Sequence, residues 1–397
     1  MAGELRGLVL GSGFAGQGHA RALRDAGVNI VGMVARTPAV VEQVARDLGI
    51  PSWGADWKHA LDELKPDLVA IGTPGGAHYQ PVLDALDRGC HVYCDKPLSA
   101  TAAEAKTLYR RSRDAGVKSA FAASFRYQPH ALLARDLVKE GAIGEPWEVE
   151  CVSHYNLNPL IPFGWSHRMD QGGGRLNNNF THKLSIAMHV LDGAVVAAKG
   201  EARNDMPRAP VVGGVHDFRI RERYAPTREE IAGNPDRWSW ADVDAEWSYT
   251  VLAQIDSPYA ERQPVSALFR HGGLLPRFHG DYVAFYGSRG AIHIEGSYAQ
   301  GPLHVRANGG QWSVVPMRKS ITDAMPEIED DTQRNWTQLA REFVADTLGR
   351  GYSGYQTFRD GWIFQEVIDA VRSESGWTKI DQDSGRKAGR RGLRLSR

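Results

Sequence analysis

Leu5-Arg6-Gly7-Leu8-Val9-Leu10-Gly11-Ser12-Gly13-Phe14-Ala15-Gly16 is the stretch from which the rest of this chain is read. The apolar run from Leu5 to Leu10 reads as a buried strand, Gly11, Gly13 and Gly16 form a GxGxxG array, and residues 18–26 carry a helical pattern. The three glycines have different tasks. Gly11 supports a tight turn, Gly13 lets a pyrophosphate approach the backbone, and Gly16 lets the helix pack close to the strand. Amide donors at the helix N-terminus then face the phosphate charge. Alone, the array is a weak signal. It is strengthened by a second apolar strand over Val28 to Val34 and a helix over Val40 to Leu48, which complete a βαβ unit. The candidate cofactor contacts here are Gly11, Gly13, Phe14, Ala15 and Gly16.

The same alternation recurs downstream. Leu68 to Gly72, His91 to Cys94 and Val117 to Ala122 read as strands, separated by helices over Pro81 to Arg88 and Ala100 to Gly116. Apolar strands alternating with helices are buried on both faces, which predicts an α/β fold with a doubly wound parallel sheet of Rossmann type. After Phe125 the rhythm changes. Leu132 to Glu140 and Leu184 to Leu191 are helical, whereas Pro146 to His154, Trp247 to Ile255, Val265 to His271, Tyr282 to Tyr286, Ala291 to Glu295, Leu303 to Ala307 and Trp312 to Pro316 read as strands. This predicts a C-terminal α/β (α+β) domain with a large open sheet, mainly antiparallel or mixed, followed by helices over Asn335 to Thr347 and Thr357 to Ser373. The expected division is 1–125 for dinucleotide binding, 126–378 for substrate binding and oligomerisation, and 379–397 as a basic, disordered tail. Residues 202–244, rich in Pro, Arg and Trp, have no clean period and read as an ordered insertion that shapes a pocket or meets another subunit.

Composition bounds the function. The chain has 397 residues, 42% hydrophobic and 24% charged, with a mean hydropathy of -0.39, and so is globular with room for two or three domains. Lys plus Arg number 47 and Asp plus Glu 47, which argues against a specific nucleic-acid binder. The one basic concentration is Arg386, Lys387, Arg390, Arg391, Arg394 and Arg397, without aromatic spacing, and reads as a solvated terminus. No apolar run is long enough to cross a bilayer, and no signal peptide is evident. Three cysteines make no disulfide framework, so the expected setting is the cytoplasm. Cys90 and Cys94 alternate with apolar residues in a strand pattern, and His189 and Asp192 near His182 give no closed ligand set, so no metal is expected.

The end of the second strand carries Ala35, Arg36 and Thr37 where an acidic ribose partner usually stands. Without a carboxylate the 2'-phosphate of NADP is less disfavoured, and Arg36 can pair with it through its guanidinium fork while Thr37 adds a hydroxyl. NADP is therefore the preferred cofactor, with NAD possible.

Beyond the glycine array, the chain contains Thr73-Pro74, His78, Gly89-Cys90-His91-Val92-Tyr93-Cys94-Asp95-Lys96-Pro97, Phe125-Arg126-Tyr127-Gln128-Pro129, Gly172-Gly173-Gly174 with Asn178 and His182, and a late Asp360-Gly361. On these elements it resembles the glucose-fructose oxidoreductase, inositol dehydrogenase and MocA (Gfo/Idh/MocA) family over about residues 5–378. The resemblance implies a cofactor domain followed by an open-sheet domain that supports a homo-oligomer, and NAD(P)-dependent hydride transfer on sugars, cyclitols or related secondary alcohols and ketones. It adds Thr73, Pro74, His78, Asp95, Lys96 and Pro97 to the cofactor side. Asp95-Lys96-Pro97 matches a Glu-Lys-Pro element with Asp95 in place of Glu, and Lys96 matches its functional lysine.

Lys96 and His182 are the candidate catalytic pair. A lysine charge stabilises a developing alkoxide, and a histidine exchanges a proton with a hydroxyl near neutral pH. Asn178 falls where the family ordinarily has Asp, four positions before His182, and orients a hydroxyl without supplying a carboxylate charge. Arg126, Tyr127, His154, Tyr155, Asn156 and Arg168 are secondary substrate-side candidates. Two other functions fit the same residues: a redox-neutral, NAD-dependent glycoside-cleaving enzyme, and an inactive dinucleotide-binding sensor or structural protein.

Overall fold

The computed structural model describes residues 4–215, 218–276 and 280–383. Most of the basic tail, from 384 onward, lies outside the described residues.

Strands β1 (Arg6–Leu10), β2 (Asn29–Val34), β3 (Trp53–Gly54), β4 (Leu68–Ile71), β5 (His91–Cys94) and β6 (Ser119–Phe121) make a parallel sheet in the order β3-β2-β1-β4-β5-β6. The helices between them are α1 (Phe14–Asp25), α2 (Pro38–Asp47), α3 (Trp57–Leu64), α4 (Tyr79–Asp87) and α5 (Ala102–Asp114). Leu8, Val9, Val69, Ala70, Val92 and Tyr93 are fully buried, as strands covered on both faces require. The strand order reverses between β1 and β4, and a doubly wound sheet opens its ligand crevice at such a point, outside the carboxyl ends of the strands. Gly11, Thr73 and Asp95 follow directly on the ends of β1, β4 and β5, or one residue beyond, so their loops share that edge.

Two elements of this half are short. β3 is only two residues long, and α3 depends on a cap, the Asp56 carboxylate accepting the Lys58 and His59 amides at 2.9 and 3.2 Å.

The second sheet uses β7 (Pro146–His154), β8 (Ala194–Arg203), β11 (Ser248–Asp256), β12 (Val265–Gly272), β13 (Tyr282–Gly287), β14 (Gly290–Glu295), β15 (Leu303–Ala307), β16 (Ser313–Val314) and β17 (Thr378–Lys379). Their order is β16-β15-β14-β13-β7-β12-β11-β8-β17, antiparallel except for β7 beside β12, so the sheet is mixed. Along β11, Val251, Ala253 and Ile255 are buried while Leu252, Gln254 and Asp256 are exposed, leaving one face open. Helices α6 (Pro129–Lys139), α7 (Thr181–Val190) and α11 (Phe358–Arg372) contribute to the same hydrophobic core as the buried face. β8 is rich in Ala and Gly and has little strand propensity of its own; pairing with β11 and β17 holds it.

Residues 202–244 are ordered where described, as a hairpin of β9 (Arg208–Val211) and β10 (Ser239–Asp242) enclosing a 3-10 turn over Phe218–Tyr224 and the short α8 (Arg228–Gly233). After α9 (Lys319–Thr322), α10 (Asp331–Thr347) returns to the first sheet. Its Trp336, Leu339, Ala340, Phe343 and Val344 share a core with Val9, Ala20 and Leu23. A Cβ on Gly18 would lie 2.1 Å from the Trp336 ring, so α1 and α10 meet through that glycine. Among the described residues no helix is long and apolar enough to cross a membrane.

Candidate active site

The glycine loop has the geometry that a dinucleotide needs. Gly11 sits at φ +110°, and a Cβ there would fall 2.6 Å from the Gly72 carbonyl oxygen. A Cβ on Gly16 would be 1.9 Å from the Gly11 carbonyl oxygen, so β1 and α1 touch backbone to backbone. Gly13, the N-cap of α1, is different: an added Cβ would meet nothing within 4 Å. No side-chain oxygen caps α1, and its first turn has no acidic residue, which leaves its amides and dipole for an anion. The pyrophosphate of a nicotinamide dinucleotide fits this loop. Phe14 lies 5.1 Å from Trp336, ring to ring, and carries the Arg219 guanidinium 4.6 Å above its own ring; Ala15 is half-buried beside it. Arg36 and Thr37 are exposed at the end of β2.

The loops after β4 and β5 are tied together by His78. Its ring nitrogens lie 2.8 Å from the Pro97 carbonyl and 2.6 Å from the Thr73 carbonyl, and the ring is fully buried. Burial pushes its pKa down against those contacts and the Asp95 charge. His78, expected among the cofactor contacts, is therefore a brace for Thr73-Pro74 and Lys96-Pro97, because both nitrogens are already committed. Pro74 opens a 3-10 turn at Gly75, where a Cβ would meet Pro97 at 2.5 Å. A Cβ on Gly172 would meet the Gly75 Cα at 2.9 Å, so the two halves of the site join through glycines.

Asp95 is buried, with Oδ1 3.5 Å from His19 Nε2. Burial alone would raise its pKa, but His19, Lys96 and His78 hold it below the ordinary carboxylate value. The contact with His19 is longer than an ordinary hydrogen bond. Lys96 is half-buried and donates from Nζ to Asn178 Oδ1 at 3.3 Å, while Asn178 Nδ2 donates to the Gly174 carbonyl at 2.8 Å. Burial lowers the Lys96 pKa, Asp95 opposes the shift, and Arg175 adds to it.

Asn178 and His182 are not on one regular helix. Leu176–Phe180 forms a wider π-type turn that runs into α7 at Thr181, a distortion that often occurs at functional sites. His182 is buried, 4.3 Å from the Phe125 ring and 5.4 Å from the Tyr298 ring, centroid to centroid. Burial, then the Lys96 charge, pushes its pKa well below the ordinary histidine value, so the imidazole is neutral at pH 7. The structure thus brings Lys96, Asn178 and His182 together.

The secondary candidates divide. Tyr155 packs edge-on against His271 at 4.8 Å and lies beside Tyr298. His154 anchors its amide on Asp281 at 2.9 Å. The remaining four are directed elsewhere. Arg126 bonds His189, Tyr127 donates to Glu342 on α10 at 2.7 Å, Arg168 is forked onto Asp170, and exposed Asn156 makes a bridge to Leu274. The Tyr127 hydroxyl and the Arg168 guanidinium are spent on those partners, whereas the Asn156 bridge is made by backbone and Arg126 Nε has no hydrogen-bond partner among the described residues. Sequence reasoning missed Tyr298, which accepts from Asn179 at 2.6 Å, and Arg175, which stacks on Trp247 at 4.7 Å. Tyr298 belongs to no motif with local spacing, whereas Arg175 directly follows Gly172-Gly173-Gly174.

Cys90, Cys94 and Cys151 are free and buried, and burial lifts the Cys90 thiol to about 11. Among the described residues no group of three or more His, Cys, Asp or Glu side chains stands together as a metal site would need.

Comparison with known proteins bears on this geometry. Residues 5–122 match the model of an oxidoreductase family with an NAD-binding Rossmann fold, and residues 131–298 match the GFO/IDH/MocA C-terminal domain. Among curated proteins, the scyllo-inositol 2-dehydrogenase (NAD(+)) of Bacillus subtilis is 24% identical over 381 residues, covering 94% of this chain and 99% of the relative. The levoglucosan dehydrogenase of Pseudarthrobacter phenanthrenivorans is 27% identical over 183 residues, 45% of this chain and 47% of the relative, so that alignment spans about half of its length. A crystal structure of levoglucosan dehydrogenase in complex with NADH and L-sorbose superimposes with a TM-score of 0.78 at 19% identity, covering 95% of this chain and 99% of the other. An NAD binding oxidoreductase from Klebsiella pneumoniae gives 0.77 at 22% identity, covering 96% and 100%. The structural likenesses speak for the fold.

Proposed function

Because this chain belongs to the Gfo/Idh/MocA oxidoreductase family, we propose that its site oxidises a secondary alcohol of a sugar, cyclitol or related polyol, or reduces the matching ketone, with NAD(P). The observation that carries the reading is the meeting of Lys96 with Asn178 at 3.3 Å beside a neutral His182, at the same sheet edge as the glycine loop. A bound nicotinamide supplies the hydride acceptor or donor. In the oxidative direction the Lys96 ammonium stabilises negative charge growing on the substrate oxygen, and its lowered pKa eases proton exchange. His182, neutral at pH 7, accepts the hydroxyl proton directly or through a water, while the hydrogen on carbon leaves with its electron pair. Asn178 fixes the Lys96 Nζ through its Oδ1 and is itself fixed by Gly174. Asp95 holds charge next to Lys96 and keeps the ammonium form accessible.

Relatives named for scyllo-inositol and levoglucosan support a polyol substrate class. The exposed Arg36 and Thr37, with no carboxylate at the end of β2, support a preference for NADP over NAD. A cytoplasmic homo-oligomer, divided into cofactor and substrate domains near residue 125, completes the proposal.

The test is Lys96→Ala with a panel of sugars and cyclitols, following reduction of NAD or NADP by absorbance. Turnover should fall by roughly 10²- to 10⁴-fold while dinucleotide affinity measured by calorimetry changes little. Near-normal turnover contradicts the assignment.

A further inference from the structure

Arg175 has no role in the hydride chemistry, yet it sits three residues before Asn178 and its charge reaches Lys96. Its guanidinium carbon lies 4.7 Å from the centre of the Trp247 ring. A cation–π contact of this kind consumes none of the guanidinium N–H donors, which remain for a ligand. Nε and Nη2 are buried and, among the described residues, have no hydrogen-bond partner. A buried, charged fork with unmet donors is costly unless something fills it.

The nearest carboxylate does not fill it. Glu246 is held by Arg372 at 3.0 Å through both oxygens and accepts the Leu176 amide at 2.9 Å. A second arginine adds to the positive charge. Arg221, from the 3-10 turn of the 202–244 insertion, donates to Ser166 Oγ at 2.8 Å. Burial and then Arg175 push its pKa down to about 9, and burial followed by Arg221 drives His167 down to about 4. The charge of Arg175 thus reaches both Lys96 and Arg221, with Asp95 opposing at Lys96, Glu246 at Arg175 and Glu222 at Arg221.

We propose that the substrate carries a carboxylate, held side-on by Arg175 with Arg221 beside it, so that the preferred substrates are sugar acids rather than neutral polyols. The inference rests on the dehydrogenase reading and deepens it. A planar carboxylate matches the two-donor edge of one guanidinium, and its charge offsets the repulsion of Arg175 by Lys96 and by Arg221. The insertion then acts as a specificity element, because it brings Arg221 to the pocket.

The test measures binding and turnover separately. Calorimetry, with NADP present, compares D-glucuronate, D-galacturonate and D-gluconate with D-glucose, D-galactose and sorbitol, and adds D-glucose 6-phosphate. At least one acid should bind ten-fold or more tightly than its neutral counterpart. Arg175→Gln should reduce that ratio by about 10- to 100-fold, and Arg175→Lys should restore part of it. Arg221→Gln, on the surface insertion, should reduce the ratio by a smaller factor and provides the check if the Arg175 variants fold poorly. The proposal is overturned if no acid is preferred, if D-glucose 6-phosphate outranks the carboxylates, or if Arg175→Gln weakens NADP while the ratio persists. Acid binding without any change in NADP absorbance would sustain the anion site and defeat the dehydrogenase reading instead.

Discussion

Lys183→Met should flatten the rise of this protein's stability with pH between neutrality and pH 10. Lys183 follows His182 on α7 but points into the second sheet, where Nζ is fully buried and donates to Ser153 Oγ at 2.7 Å and the Arg270 carbonyl at 2.8 Å. Burial lowers its pKa from 10.5 to about 7, against the pull of Cys151 and Asp281. The difference, about 3.5, is worth on the order of 5 kcal/mol at 1.36 kcal/mol for each.

Below pH 7 the folded and unfolded chains both carry the proton, and the fold bears the full cost of a buried ammonium. Between about 7 and 10.5 the unfolded chain holds one proton more, so stability rises with pH by about 1.4 kcal/mol per unit. Above 10.5 the cost is gone. The neighbours do not titrate in this window: burial holds Cys151 at about 12 and His271 at about 2, and raises Tyr249 well above its ordinary value.

Urea unfolding of the parent and Lys183→Met at pH 7.5, 8.5 and 9.5, followed by tryptophan fluorescence, reads the effect. The parent should gain on the variant by about 1.4 kcal/mol for each pH unit. Loss of the bonds to Ser153 and Arg270 adds only a constant offset, so the slope is the decisive quantity. Parallel stability curves would refute the reasoning.

Gly16→Ala should destabilise the fold by at least about 2 kcal/mol and weaken dinucleotide binding ten-fold or more, because its Cβ would sit 1.9 Å from the Gly11 carbonyl oxygen; thermal melting and calorimetry measure both. Arg372→Met strands the buried Glu246 carboxylate and should cost about 3–5 kcal/mol, most of it recovered in the Arg372→Met, Glu246→Gln double variant. Arg36→Asp should lower the ratio of NADP to NAD affinity at least about ten-fold, and an unchanged ratio in titrations with the two dinucleotides would sink the argument from β2.

The glycine loop and the parallel strands were legible in the sequence because each depends on nearest neighbours: a turn, a two-sided apolar strand. The expected strand His91 to Cys94 matches β5, and Pro146 to His154 matches β7 residue for residue. Fold class follows from such local patterns repeated. Even Gly16, whose partner is only five residues away, declares its role through spacing.

Convergence across the chain has no such signature. β8 is a strand because β11 and β17 flank it, and Tyr127 is a packing residue because α10, more than 200 residues later, returns Glu342 to its hydroxyl. Likewise Arg126 was expected on the substrate until His189 met it, while the contact of Arg175 with Trp247 joins residues far apart in the chain. Sequence by itself determined the glycine loop and the alternation of strands and helices. Tertiary structure alone decided which polar side chains are already satisfied and which remain to meet a ligand, since hydrogen bonds and burial depend on distances between segments that spacing along the chain does not encode.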